Sequence, residues 1–390
     1  MLIWEVIPLF KGFINYKNGR IPFVIENYRM ELFTDDSLLS EFTKEHNKKT
    51  NYELTGRCFR SGSIAQPITI LVEKSSGSTC FLSCFYISLS DDDKDFDCIN
   101  FQSTTLDNIF RYKYNYLNLS RAGENFSIGQ KDIYYIPFTI GSKNYNLKYK
   151  IGQKQKMGIL EDFEMCGETS VTLNLANINE CYKITILLER FSKFISGNSD
   201  ISFKRISLSK NGVFSCWFYC RFIPDVDKGY DDIRFYHFDV MKYSPIILNN
   251  ISLNLESKIT KSIYLGHIGN YDTLFSPQRF ISQVMAFEYL FEKLEPKKAN
   301  DPKFSLKKEL ELMFNSFPNI LKDSKINSNT ISKEIKTLRV EITHGYSYYY
   351  DFKNDKNIQY YILMLDELIE KMNLKYLGFN ELDISNFRTI

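Results

Sequence analysis

The stretch IQYYILMLDELIEKM, at residues 358–372, carries the clearest helical pattern in the chain. Its apolar side chains recur every three or four residues, so an α-helix places them on one face. These side chains are Ile358, Tyr361, Ile362, Leu365, Leu368, Ile369 and Met372. A helix with one apolar face needs partners that cover it, and the preceding sequence supplies them.

Three more helical patterns follow the dipeptide Ser276-Pro277. In the second, SLKKELELMFNSF, Ser305 can cap the helix. The inward-facing residues of the first and third are Phe280, Val284, Phe287, Phe291 and Leu294, then Ile331, Ile335, Leu338 and Ile342. Short connections predict that the four helices form a bundle, which we assign to residues 276–390.

Residues 1–275 show the pattern of strands instead. Runs rich in β-branched and aromatic residues alternate with turn clusters: ITILVE, CFLSCFYISL, IYYIPFTI, YNLKYKI, SVTLNL, ISFKRISL, VFSCWFYCRFI and IRFYHFDV. Asn211-Gly212 predicts a hairpin. A short helix fits TTLDNIFRY, capped by Thr104 or Thr105, and a longer one fits ECYKITILLERFSKFISG, ending near Gly197.

These patterns together predict an α+β protein. Residues 1–275 form an antiparallel sandwich or barrel with an inserted helix, and residues 276–390 form the four-helix bundle. A division of the β-rich region into subdomains at residues 1–176 and 177–275 is the alternative.

Composition favours a globular protein, because 44% of the residues are hydrophobic and 25% are charged. The net charge of +2 creates no global field for nucleic acid, so any basic site must be local. The 8 cysteines contain no CxxC pair, which favours buried free thiols over a zinc site. The first residues, MLIWEVIPLF, lack the basic start of a secretion signal, and no window approaches the ~18 apolar residues of a membrane span. We therefore expect a cytoplasmic protein with no membrane partner.

Three of the 4 histidines indicate no site. His46 lies in a polar stretch and is predicted on the surface. His237 lies in a predicted aromatic strand, as a core or rim residue, and His267 lies in the loop LGHIG. The acidic run at residues 91–97 lacks the glycine and glutamate of a calcium-binding loop, so it predicts a hairpin loop.

The fourth histidine lies in LRVEITHGYSYYY, at residues 338–350. His344 follows Arg339 by five positions at the predicted end of the third bundle helix, and Gly345 can adopt the left-handed conformation that ends a helix. His344 can then swing back towards the guanidinium. Two interpretations stay open: cations that stabilise the helix dipole by about 0.3–1 kcal/mol, or an arginine and a histidine that converge on a phosphodiester.

The Arg-x4-His pattern on the third helix of a C-terminal bundle resembles the mark of the HEPN superfamily of ribonucleases. The helix IKTLRVEITHG is similar to the HEPN domain of the ApeA-type antiphage abortive-infection proteins. The stretches FDCINFQSTTLDNIF, YIPFTI, YNLKYKIG and LLERFSKFISG are similar to that family's β-rich N-terminal domain. The resemblance implies a homodimer that brings two Arg-x4-His motifs into one cleft, and an N-terminal region that restrains the nuclease or senses a phage-derived trigger.

The implied activity is a metal-independent endoribonuclease that uses no cofactor. RNA supplies its own nucleophile, the 2′-hydroxyl, and histidine suits proton transfer because an ordinary imidazole has a pKa of about 6.5. The resemblance assigns acid–base catalysis to His344 and stabilisation of the transition state to Arg339. The substrate would be RNA, with tRNA as one candidate, and products would end in a 2′,3′-cyclic phosphate. Further predicted substrate contacts are Thr343, Tyr346, Tyr348, Lys297 and Lys298.

Val340 departs from the family's pattern, which usually has a polar residue, often asparagine, directly after the arginine. The alternative function is therefore a HEPN-like bundle that has lost catalysis and serves in dimerisation or RNA binding. A purely structural protein, the third hypothesis, predicts no affinity for RNA.

Overall fold

The computed structural model describes residues 9–26, 28–46, 51–59, 65–73, 81–89, 95–111, 131–155, 163–196, 203, 205–220, 237–253, 255, 275–321, 326–346 and 350–386. The strands in these ranges are β1 (Phe10–Tyr16), β2 (Gly19–Glu26), β3 (Arg29–Leu32), β4 (Asn51–Phe59), β5 (Ala65–Glu73), β6 (Phe81–Ser88), β7 (Phe96–Gln102), β8 (Lys131–Ile140), β9 (Lys143–Gln155), β10 (Phe163–Ala176), β11 (Arg205–Lys210) and β12 (Val213–Cys220).

The helices in the same ranges are α1 (Asp36–His46), α2 (Thr104–Arg111), α3 (Ile178–Ser196), α4 (His237–Leu253), α5 (Pro277–Leu294), α6 (Pro296–Ala299), α7 (Leu306–Ser316), α8 (Ser328–Thr343), α9 (Lys356–Tyr376) and α10 (Glu381–Asn386). A short 3-10 helix covers Pro318–Leu321. The strands precede most of the helices, which confirms the predicted α+β class.

Twelve strands of the described chain form one antiparallel sheet, in the order β3-β2-β1-β4-β5-β6-β12-β11-β7-β10-β9-β8. An additional pairing of β3 with β6 closes the first six of these strands into a barrel, whereas the predicted sandwich or barrel covered the whole of residues 1–275. One edge of strand β6 pairs with β5, and the other edge changes its partner along the strand. On that second edge, residues 81–83 pair with β3 and residues 86–88 pair with β12. The second half of β6 thereby connects the barrel to the rest of the sheet.

Two glycines allow β1 and β4 to approach each other closely in the barrel. A Cβ atom on Gly12 would lie 2.0 Å from the carbonyl oxygen of Arg57, and one on Gly56 would lie 2.0 Å from the carbonyl oxygen of Phe13. No side chain fits at such a distance, so this pair of strands requires glycine at both positions.

Helix α1, which lies between β3 and β4 in the chain, buries His46. The prediction that His46 lies on the surface is wrong, because only 9% of the residue is exposed. Its ring centroid lies 4.4 Å from that of Phe42 and 4.3 Å from that of Tyr52, and its Nδ1 atom lies 2.9 Å from the Phe42 carbonyl oxygen. Burial raises the pKa of Tyr52 to about 12. The polar residues next to His46 in the sequence suggested a surface position, but its ring packs in a buried aromatic cluster with Phe42 and Tyr52.

Helix α4 replaces part of a predicted strand. Residues 237–240 of the predicted strand IRFYHFDV are helical and begin at His237, whereas residues 233–236 lie outside the described residues, as does His267. Tyr243, Ile247 and Ile251 are buried at four-residue spacing, so the period is that of a helix.

Several local predictions are confirmed. Helix α2 covers TTLDNIFR, and α3 ends at Ser196. The cap of α2 is Ser103 rather than Thr104 or Thr105, because the Ser103 hydroxyl accepts a hydrogen bond from the backbone N–H of Leu106 at 3.3 Å. Asn211 and Gly212 form the two-residue turn between β11 and β12, with φ angles of 52° and 74°.

The cysteines whose state the structure describes are free thiols: Cys58, Cys84, Cys98, Cys181, Cys216 and Cys220. All of these except Cys98 are buried, as predicted. Burial raises the pKa of the Cys181 and Cys220 thiols above the ordinary value, so they stay protonated.

The chain divides into two compact units. The first comprises Met1–Glu189 and Asp200–Asp231, and the second comprises Arg190–Ser199 and Asp232–Ile390. Helix α4 therefore belongs to the same unit as the C-terminal helices. The domain boundary at residue 275, inferred from the change from strand patterns to helical patterns, stays a prediction.

The four predicted C-terminal helices are present as α5, α7, α8 and α9. Helix α9 packs against α5, and α8 packs against α7 and α5. Ser276 caps α5 by accepting a hydrogen bond from the N–H of Arg279 at 3.2 Å, and Pro277 occupies the first turn. Ser305 stands at the N-cap position of α7, but its side chain makes no capping hydrogen bond. Among the described helices, none is both long enough and apolar enough to span a membrane.

Candidate functional site

Helix α8 carries Arg339 and leads to His344. The Asn327 side chain caps its first turn by accepting a hydrogen bond from the N–H of Thr330 at 2.8 Å. Ile331, Ile335 and Leu338 bury one face of the helix in the bundle. Outside this face the helix reaches the surface: Arg339 is partly exposed, and His344, just after the last helical residue, is exposed.

The C-terminus of α8 has the glycine stop that the sequence predicts. The N–H of Gly345 donates to the Ile342 carbonyl at 3.0 Å, and the N–H of Tyr346 donates to the Glu341 carbonyl at 3.0 Å. Gly345 has a φ of 85°, the left-handed conformation that this pair of hydrogen bonds requires. His344 is the C-cap residue, and its side chain is exposed.

Arg339 lies beside a carboxylate from another helix. Its Nη2 atom lies 3.8 Å from Oε1 of Glu288 on α5, and the two side chains are 40% and 39% exposed. This distance exceeds that of an N–H···O hydrogen bond, so the pair is held by charge alone. No other ion pair or side-chain hydrogen bond holds Arg339 in the described part of the chain, and its guanidinium retains N–H donors for a ligand.

A third helix contributes a second carboxyl group. Partial burial, and then the negative charge of Glu288, raise the pKa of Glu309 on α7 above its ordinary value. Glu288 on α5 thus lies beside the Arg339 guanidinium on α8, and its negative charge also acts on Glu309 on α7. Sequence reasoning did not include Glu288 or pair Glu309 with it, because the register between helices cannot be read from helical periodicity.

Arg339 and His344 do not contact each other within one chain. No hydrogen bond or ion pair joins the two side chains, both of which the structure describes. Five helical positions separate residues by about 140° around the helix axis. The return of the imidazole towards the guanidinium stays a prediction.

The other predicted contact residues are placed around the same end of α8 or on a separate helix. The Thr343 hydroxyl is exposed and donates to the Val340 carbonyl at 2.8 Å. Tyr346 is 49% exposed, whereas Tyr348 lies outside the described residues. Lys297 and Lys298 lie in the short helix α6, where Lys298 forms an ion pair of 3.0 Å with Glu295.

A metal centre is not part of the described site. Within the described residues, no group of three or more histidine, cysteine, aspartate or glutamate side chains is arranged to hold a metal ion.

No protein-family model, no curated protein and no solved structure matches the chain.

The chemistry of the site follows from its geometry. An exposed guanidinium with unengaged N–H donors matches the oxygens of a phosphate, and an exposed imidazole can donate or accept a proton. A single chain presents one of each near the C-terminal end of α8. Phosphodiester cleavage that uses an acid and a base in one step needs a second proton-transfer group beside this imidazole.

Proposed function

We propose that the protein is a metal-independent endoribonuclease whose site contains Arg339 and His344. The observation that carries the proposal is that both side chains reach solvent at the C-terminal end of α8, with the guanidinium 3.8 Å from Glu288 and not hydrogen-bonded to it. A guanidinium whose N–H groups are not all engaged can bind the oxygens of a phosphate.

The proposed reaction uses the RNA as its own nucleophile. One His344 imidazole removes the proton of a 2′-hydroxyl, the 2′-oxygen attacks phosphorus, and the bond from phosphorus to the 5′-oxygen breaks. A second imidazole, in its protonated form, gives its proton to that leaving 5′-oxygen. Arg339 stabilises the negative charge on the pentacoordinate phosphorus. The products are a 2′,3′-cyclic phosphate and a 5′-hydroxyl.

A homodimer is part of the proposal, because one imidazole cannot serve as acid and base in the same step. Met285 and Tyr289 on α5 are 52% and 43% exposed, and they flank Glu288 on the same helix face. Large exposed apolar side chains beside a site favour a protein contact. Sedimentation equilibrium of the full chain should give twice the mass of 45.9 kDa. A monomer at micromolar concentration would contradict the composite site.

The test of the reaction is the chemistry of the cut ends. Purified protein is incubated with total cellular RNA in EDTA, and the fragments are mapped by ligation that distinguishes cyclic phosphate from 3′-hydroxyl. We expect cleavage without metal and cyclic phosphate ends. A strict requirement for Mg²⁺, or ends that carry a 3′-hydroxyl, would contradict the mechanism. Lys336→Ala, which removes another exposed cation from α8, is the matched control and should cut like wild type.

The biological role of an antiphage abortive-infection effector rests on the resemblance alone. In this role the RNA cut is a host or phage transcript or a tRNA, and a phage-derived trigger releases the activity. Cells that express the protein should plate phage less efficiently than cells that express His344→Ala. Equal plating would contradict the antiphage role but would leave the proposed nuclease activity open to its own test.

A non-catalytic RNA-binding or dimerisation module is the second candidate, and Val340 favours it. Its apolar side chain stands where the family usually has a polar residue, and it is only partly exposed. This candidate predicts RNA binding without cleavage, with the same affinity in wild type and His344→Ala.

A further inference from the structure

The outer face of the barrel combines aromatic rings and cations on three neighbouring strands. Lys11 and Phe13 lie on β1, Arg20 on β2, and Arg57 and Phe59 on β4. Side chains alternate between the two faces of a strand, and the residues between these, such as Phe10 and Ile14, are buried in the barrel. We call these five residues the β1–β2–β4 platform.

The strand register brings the platform residues together. Phe13 faces Arg57 across the β1–β4 pair, and Lys11 faces Phe59 across the same pair. On the other side of β1, Asn15 faces Arg20. Residues directly opposite each other have Cβ atoms about 5 Å apart, so the five side chains form one continuous patch.

Of the two rings of the platform, that of Phe59 is exposed and that of Phe13 is partly exposed. Phe59 is 47% exposed, and its ring centroid lies 6.1 Å from that of Phe13 at an interplanar angle of 59°. The guanidinium carbon of Arg20 lies 4.3 Å from the Phe13 ring centroid. This cation–π contact keeps a planar cation beside the rings. Phe33, which is 49% exposed, adds a third ring next to Pro22, whose carbonyl accepts from its N–H at 2.9 Å.

The platform has a local excess of positive charge. It contains three cations, which are Lys11, Arg20 and Arg57. In the described cross-strand rows that pass through Phe13 or Phe59, the acidic side chain is Glu31 on β3, and Val24 on β2 lies between it and Lys11. The whole chain has a net charge of only +2, so this excess is concentrated rather than general. The exposed ring of Phe214 on β12, by contrast, faces the neutral Ser209 across the β11–β12 pair, and its centroid lies 4.8 Å from that of Trp217.

We propose that the β1–β2–β4 platform binds single-stranded nucleic acid. Bases stack on exposed aromatic rings and on guanidinium planes, and neighbouring cations hold the phosphates. Because stacking is indifferent to base identity, the site would accept strands of many sequences. The proposal is independent of the cleavage reaction, since it lies in the other unit and requires no 2′-hydroxyl.

The experiment measures fluorescence anisotropy of a fluorescein-labelled oligothymidylate of about twelve nucleotides, a length that suits such a platform. Deoxyribose lacks the 2′-hydroxyl, so the probe cannot be cut by the proposed nuclease, and the two proposals can fail separately. The full chain carrying Phe13→Leu and Phe59→Leu should bind the probe at least about fivefold more weakly for each ring removed. Leucine keeps the apolar volume but cannot stack on a base.

The matched control is Phe214→Leu, which removes a 53% exposed ring from β12 in the same unit and should leave the affinity unchanged. Arg20→Gln with Arg57→Gln should lower the dependence of log affinity on log salt by roughly 0.7 for each cation removed. Phe59→Leu alone, at the more exposed position, keeps the test valid if the double variant does not unfold cooperatively by circular dichroism.

Three results would overturn the proposal. The first is that wild type does not bind the probe at low salt. The second is that the folded Phe59→Leu variant and the folded Phe13→Leu, Phe59→Leu double variant bind it with wild-type affinity. The third is that Phe214→Leu loses as much affinity as Phe59→Leu. The first result would leave a protein as the partner of this face.

Discussion

Two arginines in the same unit differ in burial and in the distance to their partners, a difference that separates a structural role from the proposed chemical one. The side chain of Arg279, on α5, is 1% exposed, and its Nη2 atom lies 2.5 Å from Oδ2 of Asp366 on α9. Arg339, on α8, is 40% exposed and lies 3.8 Å from Glu288. Arg279 is therefore held by a close carboxylate inside the protein, whereas Arg339 can reach a ligand in solvent.

The difference has a physical origin. Gln283 also donates to Asp366, at 2.5 Å, so the partly buried carboxylate is shared by two donors from α5. Desolvated charges of this kind are stable only with their partners in place, and they fix how the helices pack. At the surface, water screens the pair of Arg339 and Glu288, which therefore contributes little to stability. The predicted buried face of α5 contained only apolar residues, whereas the observed one also contains Arg279.

The largest expected effect on stability comes from breaking the buried pair. Asp366→Ala leaves the Arg279 charge without this partner in a dry interior, so the free energy of unfolding should fall by about 3–5 kcal/mol. Glu288→Ala, the matched change at the surface pair, should cost less than about 1 kcal/mol. Urea unfolding followed by circular dichroism measures both. Similar losses in the two variants would remove the distinction between the two arginines.

A smaller effect is expected at the end of α8. Gly345→Ala places a Cβ atom at a φ of 85°, so it should destabilise the protein by roughly 1 kcal/mol. Gly345→Asn should cost less, because asparagine tolerates the left-handed conformation. Thermal unfolding of both variants checks the order. An alanine variant as stable as wild type would mean that the turn after His344 is not fixed by this residue.

The surface pair should also restrain Arg339 weakly. Glu288→Gln removes a negative charge that competes with phosphate, so RNA should bind more tightly at low salt, and the difference should disappear as salt screens the charge. Filter binding with His344→Ala as the background measures affinity without cleavage. Weaker binding in Glu288→Gln would mean that the carboxylate positions the guanidinium instead of competing for it.

The smallest expected effect concerns Glu309 and pH. Its pKa is raised in the folded protein above the ordinary 4.5, so the protonated form is favoured on folding. The corresponding stability is present below pH 4.5 and is lost as the pH rises through the raised pKa. Glu309→Gln should therefore gain stability over wild type at pH 7 but not at pH 4. The exposed Glu292→Gln is the control, and an equal difference at both pH values would contradict the assignment.

The sequence predicts the helices of this protein better than their contacts. The apolar stripe of α9, the period of α3 and the glycine stop at Gly345 are local patterns, and each is confirmed. The pairing of β3 with β6 that closes the barrel is not local, because it depends on distant strands, and the sequence left a sandwich open as the alternative.

The candidate site shows the same limit. The sequence names Arg339 and His344, but Glu288 comes from a helix about fifty positions earlier, and periodicity alone cannot align the two helices. His46 shows the reverse case, since its polar neighbours suggested exposure while Phe42 and Tyr52 bury it. A long-range aromatic contact decided its position.

The measurement that tests the central claim most directly is the rate of RNA cleavage in EDTA by wild type, Arg339→Ala, His344→Ala and Lys336→Ala, with thermal unfolding of each sample. The account predicts that Arg339→Ala and His344→Ala each cleave RNA at least about a hundredfold more slowly than wild type, although they unfold at the wild-type temperature. It predicts that Lys336→Ala keeps the wild-type rate. Cleavage by folded His344→Ala at the wild-type rate would contradict it.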